Sequence, residues 1–245
     1  MRSTSHLTSA RRQCSVRTRF GRRLPPCGGV RPMPAREFFP MVLSDRDIRA
    51  AIEAGRVKIE PMPDLDSQLG SVSVDFRLGR TFMVFEHSRH SFIDPRRPQS
   101  IGEAMRTIVV EDDEPFIMQP GDFALASTIE SLELPNDLLG RLEGRSSIAR
   151  LGITVHSTAA VFEPGWIGTA TMELSNLGRM AVALYPGMRI CAFSFETLSS
   201  PVTTPYRLKR NNKYAGQQSP RASLLAEENR LALRDESVPN GNGRR

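Results

Sequence analysis

Cysteine, histidine, tryptophan and long apolar runs are all scarce in this chain of 245 residues, and each shortage excludes something. The three cysteines are Cys14, Cys27 and Cys191, too few and too scattered for a disulfide framework, and they fit a reducing cytoplasm. No Cys-x-x-Cys occurs, and with only His6, His87, His90 and His156 a zinc centre has too few ligands to draw on. No apolar stretch approaches the roughly 20 residues that a membrane helix needs, so no membrane partner is expected. The first 30 residues also lack the apolar core of a secretory signal.

Acidic residues are almost absent from one end. Residues 1–40 carry nine Arg against Glu37 alone, a net +8, so the whole-chain charge of +6 leaves residues 41–245 at −2. The basic balance therefore belongs to an extension and says nothing about the domain behind it. That extension mixes Arg with Pro25, Pro26, Gly28, Gly29, Pro32 and Pro34 and has no apolar period, so it reads as disordered. Its Arg- and Ser-rich start has the composition of a transit peptide, and the other reading is a misplaced start codon, because Met41 directly precedes a well-formed helix start. An arm that touches RNA is a further possibility, and it would bind in a strongly salt-dependent way.

From Met41 onward the sequence has enough apolar content for one packed domain, 39% over the chain. Ser44 with Asp47 three residues on, then Ile48, Ala51 and Ile52 on one face and Gly55 as a stop, predicts a short helix. Thereafter the period is mostly two. Val72, Val74, Phe76 and Leu78 alternate with polar residues, and Phe123, Leu125, Ser127 and Ile129 form a second apolar-facing set. Strands are also expected over 169–175, 180–185 and 188–195, with turns at Pro120-Gly121, Pro164-Gly165 and Pro186-Gly187. Many short strands at this spacing predict a mainly β fold, a barrel or jelly roll, over 41–220. Residues 222–234 are compatible with a terminal helix, and 235–245 should fray.

Several segments carry residues capable of chemistry. In Gly144–Gly152 a turn leads into a short helix, where Arg145, Ser146, Ser147 and Arg150 would make a cradle for phosphates; the same residues also read as an ordinary capped helix. Glu173 lies mid-strand, where carboxylates are depleted. Met172 and Leu174 should face the core and Thr171, Glu173 and Ser175 the opposite way. That face is either solvated or the wall of a pocket in which Glu173 takes a proton from water. His156 and Trp166 flank a hairpin-like excursion and read as packing residues, while Glu163 beside Pro-Gly reads as a turn residue. The segment from Tyr206 to Gln218 is basic and aromatic, a solvated arm whose Tyr, Lys and Gln side chains can also donate to a phosphate.

Taken in order, these pieces resemble the dCTP deaminase family. The match runs from Met41 to Gln218 through Leu43–Ile48, Ser73–Gly79, Gly144–Gly152, Val155–Trp166, Met172–Asn176, Pro186-Gly187-Met188, Lys213-Tyr214 and Gln217-Gln218. The resemblance implies a distorted antiparallel β-barrel of the dUTPase type, a homotrimer with active sites between subunits, and hydrolysis of dCTP to dUTP and ammonia on the way to thymidylate precursors. Magnesium would be held by the nucleotide phosphates, with no zinc and no nucleic-acid partner. By matching motif, Glu173 would be the base that activates water, with Ser146 and Arg150 positioning and polarising the substrate. Arg145, Ser147, Tyr206, Lys213 and Gln217 would hold the triphosphate, and Ile148, Ala149, Thr171 and Met172 would complete the substrate-contacting segments. Backbone groups at Thr158 and Ala159 would read the base, and Glu163 and Trp166 would border the deoxyribose.

One position departs from the family pattern. Where Ile-Asp-Pro-Gly is common, this chain has Phe162-Glu163-Pro164-Gly165, one methylene longer, and the corresponding Asp serves a second hydrolysis in bifunctional relatives. A misplacement of about 1 Å can cost on the order of 100-fold in rate, which favours a deaminase that releases dUTP over one that goes on to dUMP and pyrophosphate. A plain dUTPase would be expected to end in a Gly-rich motif with an aromatic residue, not in Gln217-Gln218-Ser219-Pro220, and a non-catalytic RNA-binding barrel is the remote alternative. A chain that begins at Met41 is expected to fold and keep full activity; loss of activity on this truncation would make the extension part of the working domain.

Overall fold

The computed structural model describes residues 41–95 and 98–225; the basic extension and the helix expected over 222–234, past its first residues, lie outside the described residues. The elements run α1 (Asp45–Glu53), β1 (Lys58–Glu60), α2 (Leu65–Gln68), β2 (Val74–Phe85), α3 (Pro98–Glu103), β3 (Met105–Val109), β4 (Phe116–Met118), β5 (Phe123–Glu133), β6 (Leu138–Gly144) and α4 (Ser146–Ala149). They continue through β7 (Ile153–Thr154), β8 (Val161–Phe162), β9 (Ile167–Asn176), β10 (Val182–Leu184) and β11 (Arg189–Thr197) to a 3-10 turn at Tyr206–Leu208. The fold is mainly β, as the period-two pattern predicts.

Helix α1 forms where the cap signature places it. The Ser44 side chain accepts from the Asp47 N–H, Ile48, Ala51 and Ile52 are its buried face, and Gly55 follows at φ +66. All three Pro-Gly pairs lie at turns.

Every named strand pair is antiparallel, and the main sheet runs β7-β9-β5-β2-β11-β6-β8, with β1 on β5 and β3 on β2. The long strand β2 makes the corner. Its first residues pair with β11, and its last pair with β3 and β5, so one strand belongs to both halves of a curled sheet. The inner surface is filled by Phe76, Phe82, Phe193 and Phe195, all fully buried, with Phe162 edge-on to Phe193 at 4.9 Å and Phe82 stacked on Phe116 at 4.1 Å. Cys191 lies among them, and burial pushes its thiol well above the ordinary value.

Strand β5 overturns one expectation. The set Phe123, Leu125, Ser127 and Ile129 does not point into the core; Ala124, Ala126, Thr128, Glu130 and Leu132 do, while Ile129 is exposed. Val72 also lies outside its expected strand, half-exposed ahead of β2. The inversion on β5 follows from what covers its other face, a wall on which Phe123 and Leu125 are packed from outside the barrel.

The inward face of β5 ends in a charge. Glu130 is 0% exposed, and its carboxylate accepts the Arg77 backbone N–H at 2.7 Å and the Arg77 Nε at 2.6 Å. The registers of β2 on β5 and of β5 on β9 both shift at this point, between Leu78 and Phe82 and between Ser127 and Ser131. Thr128 Oγ1 closes the irregularity by donating to the Glu130 carbonyl at 2.7 Å and accepting the Ala170 N–H at 3.0 Å. Removing one partner of a buried pair strands the other. Glu130→Ala should cost about 3 kcal/mol, at the low end for such pairs because Arg77 keeps contact with water; equilibrium denaturation of the variant measures it.

Candidate active site

The period-two strand β9 presents alternate side chains to its two faces, and the expected phase is the observed one. Met172 and Leu174 are fully buried, while Thr171, Glu173 and Ser175 lie on the other face and are partly exposed. Register with β5 sets Leu125 opposite Glu173 and Ser127 opposite Thr171, so the carboxylate faces an apolar neighbour across the strand pair.

This face forms one wall of a cavity of about 520 Å³. Ala159, Glu163, Trp166, Thr171, Glu173, Tyr206 and Gln217 all line it, so the structure brings together seven of the residues singled out in the sequence. Phe85, Ile101, Met105, Phe123 and Leu125 build an apolar end that sequence reading did not assign to a pocket: Phe123 and Leu125 read as core-facing, and Phe85, Ile101 and Met105 carry no pattern that announces one. Tyr214, Arg221 and Ser223 also contribute; only the Tyr214 position, inside the basic aromatic arm, carried a signal.

Glu173 is held at two points. Its backbone N–H donates to the Val155 carbonyl at 3.1 Å, and its Oε2 accepts the Ser157 N–H at 2.9 Å. The loop at Ser157–Ala160 thus fixes the carboxylate with a neutral donor while its Ala159 lines the same space. The Nδ1 of His156, next in chain, is buried with no hydrogen-bond partner among the described residues, and its Nε2 lies 3.9 Å from Glu143.

The C-terminal arm closes the opposite side. Gln217 is buried, donates from Nε2 to the Thr169 carbonyl at 2.8 Å and to Thr171 Oγ1 at 3.0 Å, and leaves its Oε1 buried without a partner. Its backbone forms a parallel bridge with Gly168, where an added Cβ would stand 2.6 Å from the Gln217 carbonyl oxygen. Gly168 is therefore required for the arm to lie down. Tyr206 stacks on Trp166 at 5.4 Å, and its hydroxyl accepts the N–H groups of Lys213 and Tyr214 at 3.4 and 3.3 Å. The Trp166 Nε1 donates to the Gly168 carbonyl at 3.1 Å.

The other predicted residues lie elsewhere. Arg145, Ser146, Ser147, Ile148, Ala149, Arg150, Thr158, Met172 and Lys213 do not line this cavity. Helix α4 is a single turn in which Ile148 is buried in the core and Ser146, Ser147, Ala149 and Arg150 are exposed. Arg145 is tied to structure: its Nε sits 2.9 Å from Asp75 and it donates to the Arg189 carbonyl at 2.9 Å. The buried side chains of Ile148 and Met172 leave only their backbones available to a ligand. Among the described residues no three His, Cys, Asp or Glu side chains gather as a metal cage.

Comparison with known proteins gives this geometry its context. The family model described as dCTP deaminase-like matches residues 42–198. The chain belongs to the dCTP deaminase-like family. A dCTP deaminase of Thermomicrobium roseum is 77% identical over 188 residues, 77% of this chain and 95% of that protein. A Dictyoglomus thermophilum family member named dCTP deaminase, dUMP-forming, is 49% identical over 185 residues, 76% of this chain and 95% of the other. Among solved structures, the 2'-deoxycytidine 5'-triphosphate deaminase of Agrobacterium tumefaciens superposes with a TM-score of 0.50 at 22% identity, covering 65% of this chain and 48% of that one. This chain thus spans about half the length of that structure, and the likeness bears out the deaminase-type β fold.

Proposed function

We propose that this family member hydrolyses dCTP to dUTP and ammonia, with Glu173 as general base. The observation that carries the reading is the setting of Glu173, a carboxylate in a large cavity, fixed by one backbone N–H and flanked by Thr171 on its own strand. In the proposed reaction Glu173 takes a proton from a water whose oxygen bonds to C4 of the cytosine ring. The carboxyl group passes that proton to ring N3 and then carries the proton of the new C4 hydroxyl to the exocyclic amino group; the bond from C4 to that group breaks, ammonia leaves, and C4 keeps the oxygen as the carbonyl of uracil. Magnesium enters as part of the substrate, carried by the triphosphate oxygens, and no zinc takes part.

The remaining residues fit a site shared between copies. Trp166 and Glu163 border the deoxyribose, backbone groups at Thr158 and Ala159 read the base, and Tyr206, Lys213 and Gln217 face the triphosphate. Thr158 and Lys213 lie just outside this cavity, next to its Ala159 and Tyr214, while the exposed α4 residues Ser146, Ser147 and Arg150, with Arg145, are also outside it, and in the proposed homotrimer the α4 group serves a neighbouring copy's site. An arm that holds substrate from several directions contributes by orientation rather than chemistry. The compartment proposed is the cytoplasm; among the described residues no helix is long and apolar enough to cross a membrane.

A second reading, continuation to dUMP and pyrophosphate, is favoured by the relative named dUMP-forming. Against it stand the extra methylene of Glu163 and the pairing of that carboxylate with Lys209. Incubation with dCTP and magnesium, with and without a zinc chelator, followed by chromatography of the products, separates the two. Accumulating dUTP regardless of chelator is the expected result, and dUMP with pyrophosphate and no free dUTP would establish the second reading. The base itself is tested by Glu173→Gln, which should leave dCTP binding nearly intact and lower ammonia release by on the order of 100-fold or more; near-normal turnover would remove Glu173 from the role.

A further inference from the structure

The cavity contains two carboxylates, Glu163 and Glu173, and the chain treats them differently. Glu173 is held by a neutral donor, the Ser157 N–H. Glu163 Oε2 instead meets the ammonium group of Lys209, which arrives from the turn at Tyr206–Leu208. No sequence motif singled out Lys209. We propose that Lys209 is a positioning residue for the deamination, cancelling the charge of Glu163 so that a triphosphate can enter and fastening the C-terminal arm beside the cavity. This inference rests on the deaminase reading above.

The approach of Lys209 is prepared by the backbone. The Tyr206 N–H donates to the Pro164 carbonyl at 2.9 Å, directly beside Glu163, and the Tyr206 ring stacks on Trp166. Gly165, at φ +78, makes room for this: a Cβ there would stand 2.4 Å from the Pro205 Cβ. Lys209 itself is tied at both ends of its peptide, donating its N–H to the Tyr206 carbonyl at 3.1 Å and accepting the Asn212 Nδ2 at 2.7 Å on its own carbonyl. The Phe-Glu-Pro-Gly turn and the arm are thus built against each other, and their charged side chains meet at the junction.

Magnitudes decide between a structural role and an electrostatic one. The side chains are 38% and 45% exposed, and ion pairs so open to water contribute about 0–1 kcal/mol to stability. An uncancelled carboxylate beside an anionic ligand is a larger matter, because like charges a few ångströms apart at a protein surface oppose each other by about the energy of a tenfold change in affinity or more.

The test is steady-state kinetics with dCTP on Lys209→Gln, Lys209→Arg, Glu163→Gln and the double variant Glu163→Gln/Lys209→Gln, each first checked by thermal melting. Lys209→Gln should melt within a few degrees of the parent and raise KM about tenfold with kcat within about twofold. Lys209→Arg should bring KM back, and in the Glu163→Gln background, whatever KM that change sets, the further change Lys209→Gln should raise it no more than about twofold, because no carboxylate is left to cancel. An unchanged KM in Lys209→Gln, a fall in kcat alone, failure of the Lys209→Arg rescue, the full rise persisting in the Glu163→Gln background, or a Lys209 variant that does not fold would each overturn the proposal. If the parent protein releases no ammonia from dCTP, the deaminase reading fails instead, independently of Lys209.

Discussion

A carboxylate with no access to water sets the phase of this sheet. Glu130 is buried at the corner where β2 passes from one half of the barrel to the other, and its partners, the Arg77 backbone N–H and guanidinium, lie on the strand that makes the corner. Charge is expensive to bury unless it is paired and hydrogen-bonded, so the pairing admits one local arrangement. That arrangement carries the register shifts of β5 against both neighbours. Downstream of it, β9 presents Thr171 and Glu173 to the cavity and Met172 and Leu174 to the core. Because side chains alternate along a strand, a slip of one residue would exchange those two sets and place the carboxylate among the phenylalanines. The proposed chemistry therefore depends on a buried ion pair that belongs to the frame and not to the cavity lining.

Much of this was legible in the sequence, for reasons that can be named. Helix α1 declares itself through Ser44, Asp47 and Gly55, and β9 through strict alternation around one unusual Glu. The three Pro-Gly turns are equally plain, since both residues restrict the backbone in ways few other structures accept. What failed was the facing of β5. Its inner set includes two alanines, a threonine and a glutamate, and its outer set includes Phe123 and Leu125, so a reading by apolarity selects the wrong side. The error has a physical cause: the outer face is itself covered, by α3, β3 and the arm, and apolar residues there line a pocket.

The site divides along a similar boundary. Residues near one another in sequence and on one strand face, such as Thr171 and Glu173, could be grouped from pattern alone. The meeting of Gln217 with Thr169 and Thr171, or of Lys209 with Glu163, joins segments about 46 to 48 residues apart, and no periodicity encodes it. Helix α4 posed the opposite difficulty. Its motif is conspicuous, yet the fold of one copy leaves its polar side chains in solvent and commits Arg145 to Asp75, which also gives the Ser73–Gly79 segment a purpose: Asp75 holds Arg145, and Arg77 holds Glu130.

The bridge between Gly168 and Gln217 also closes an edge. The strands of the described residues end at Thr197, and without the segment that follows the start of β9 would lack its neighbour on one side and Thr169 an acceptor for its N–H. The arm supplies both, since the Gln217 carbonyl takes the Thr169 N–H at 2.9 Å. A barrel stripped of the arm would lose Tyr206, Tyr214 and Gln217 from the cavity wall and show a bare strand edge of the kind that invites pairing with other chains. The arm that completes the pocket also covers that edge.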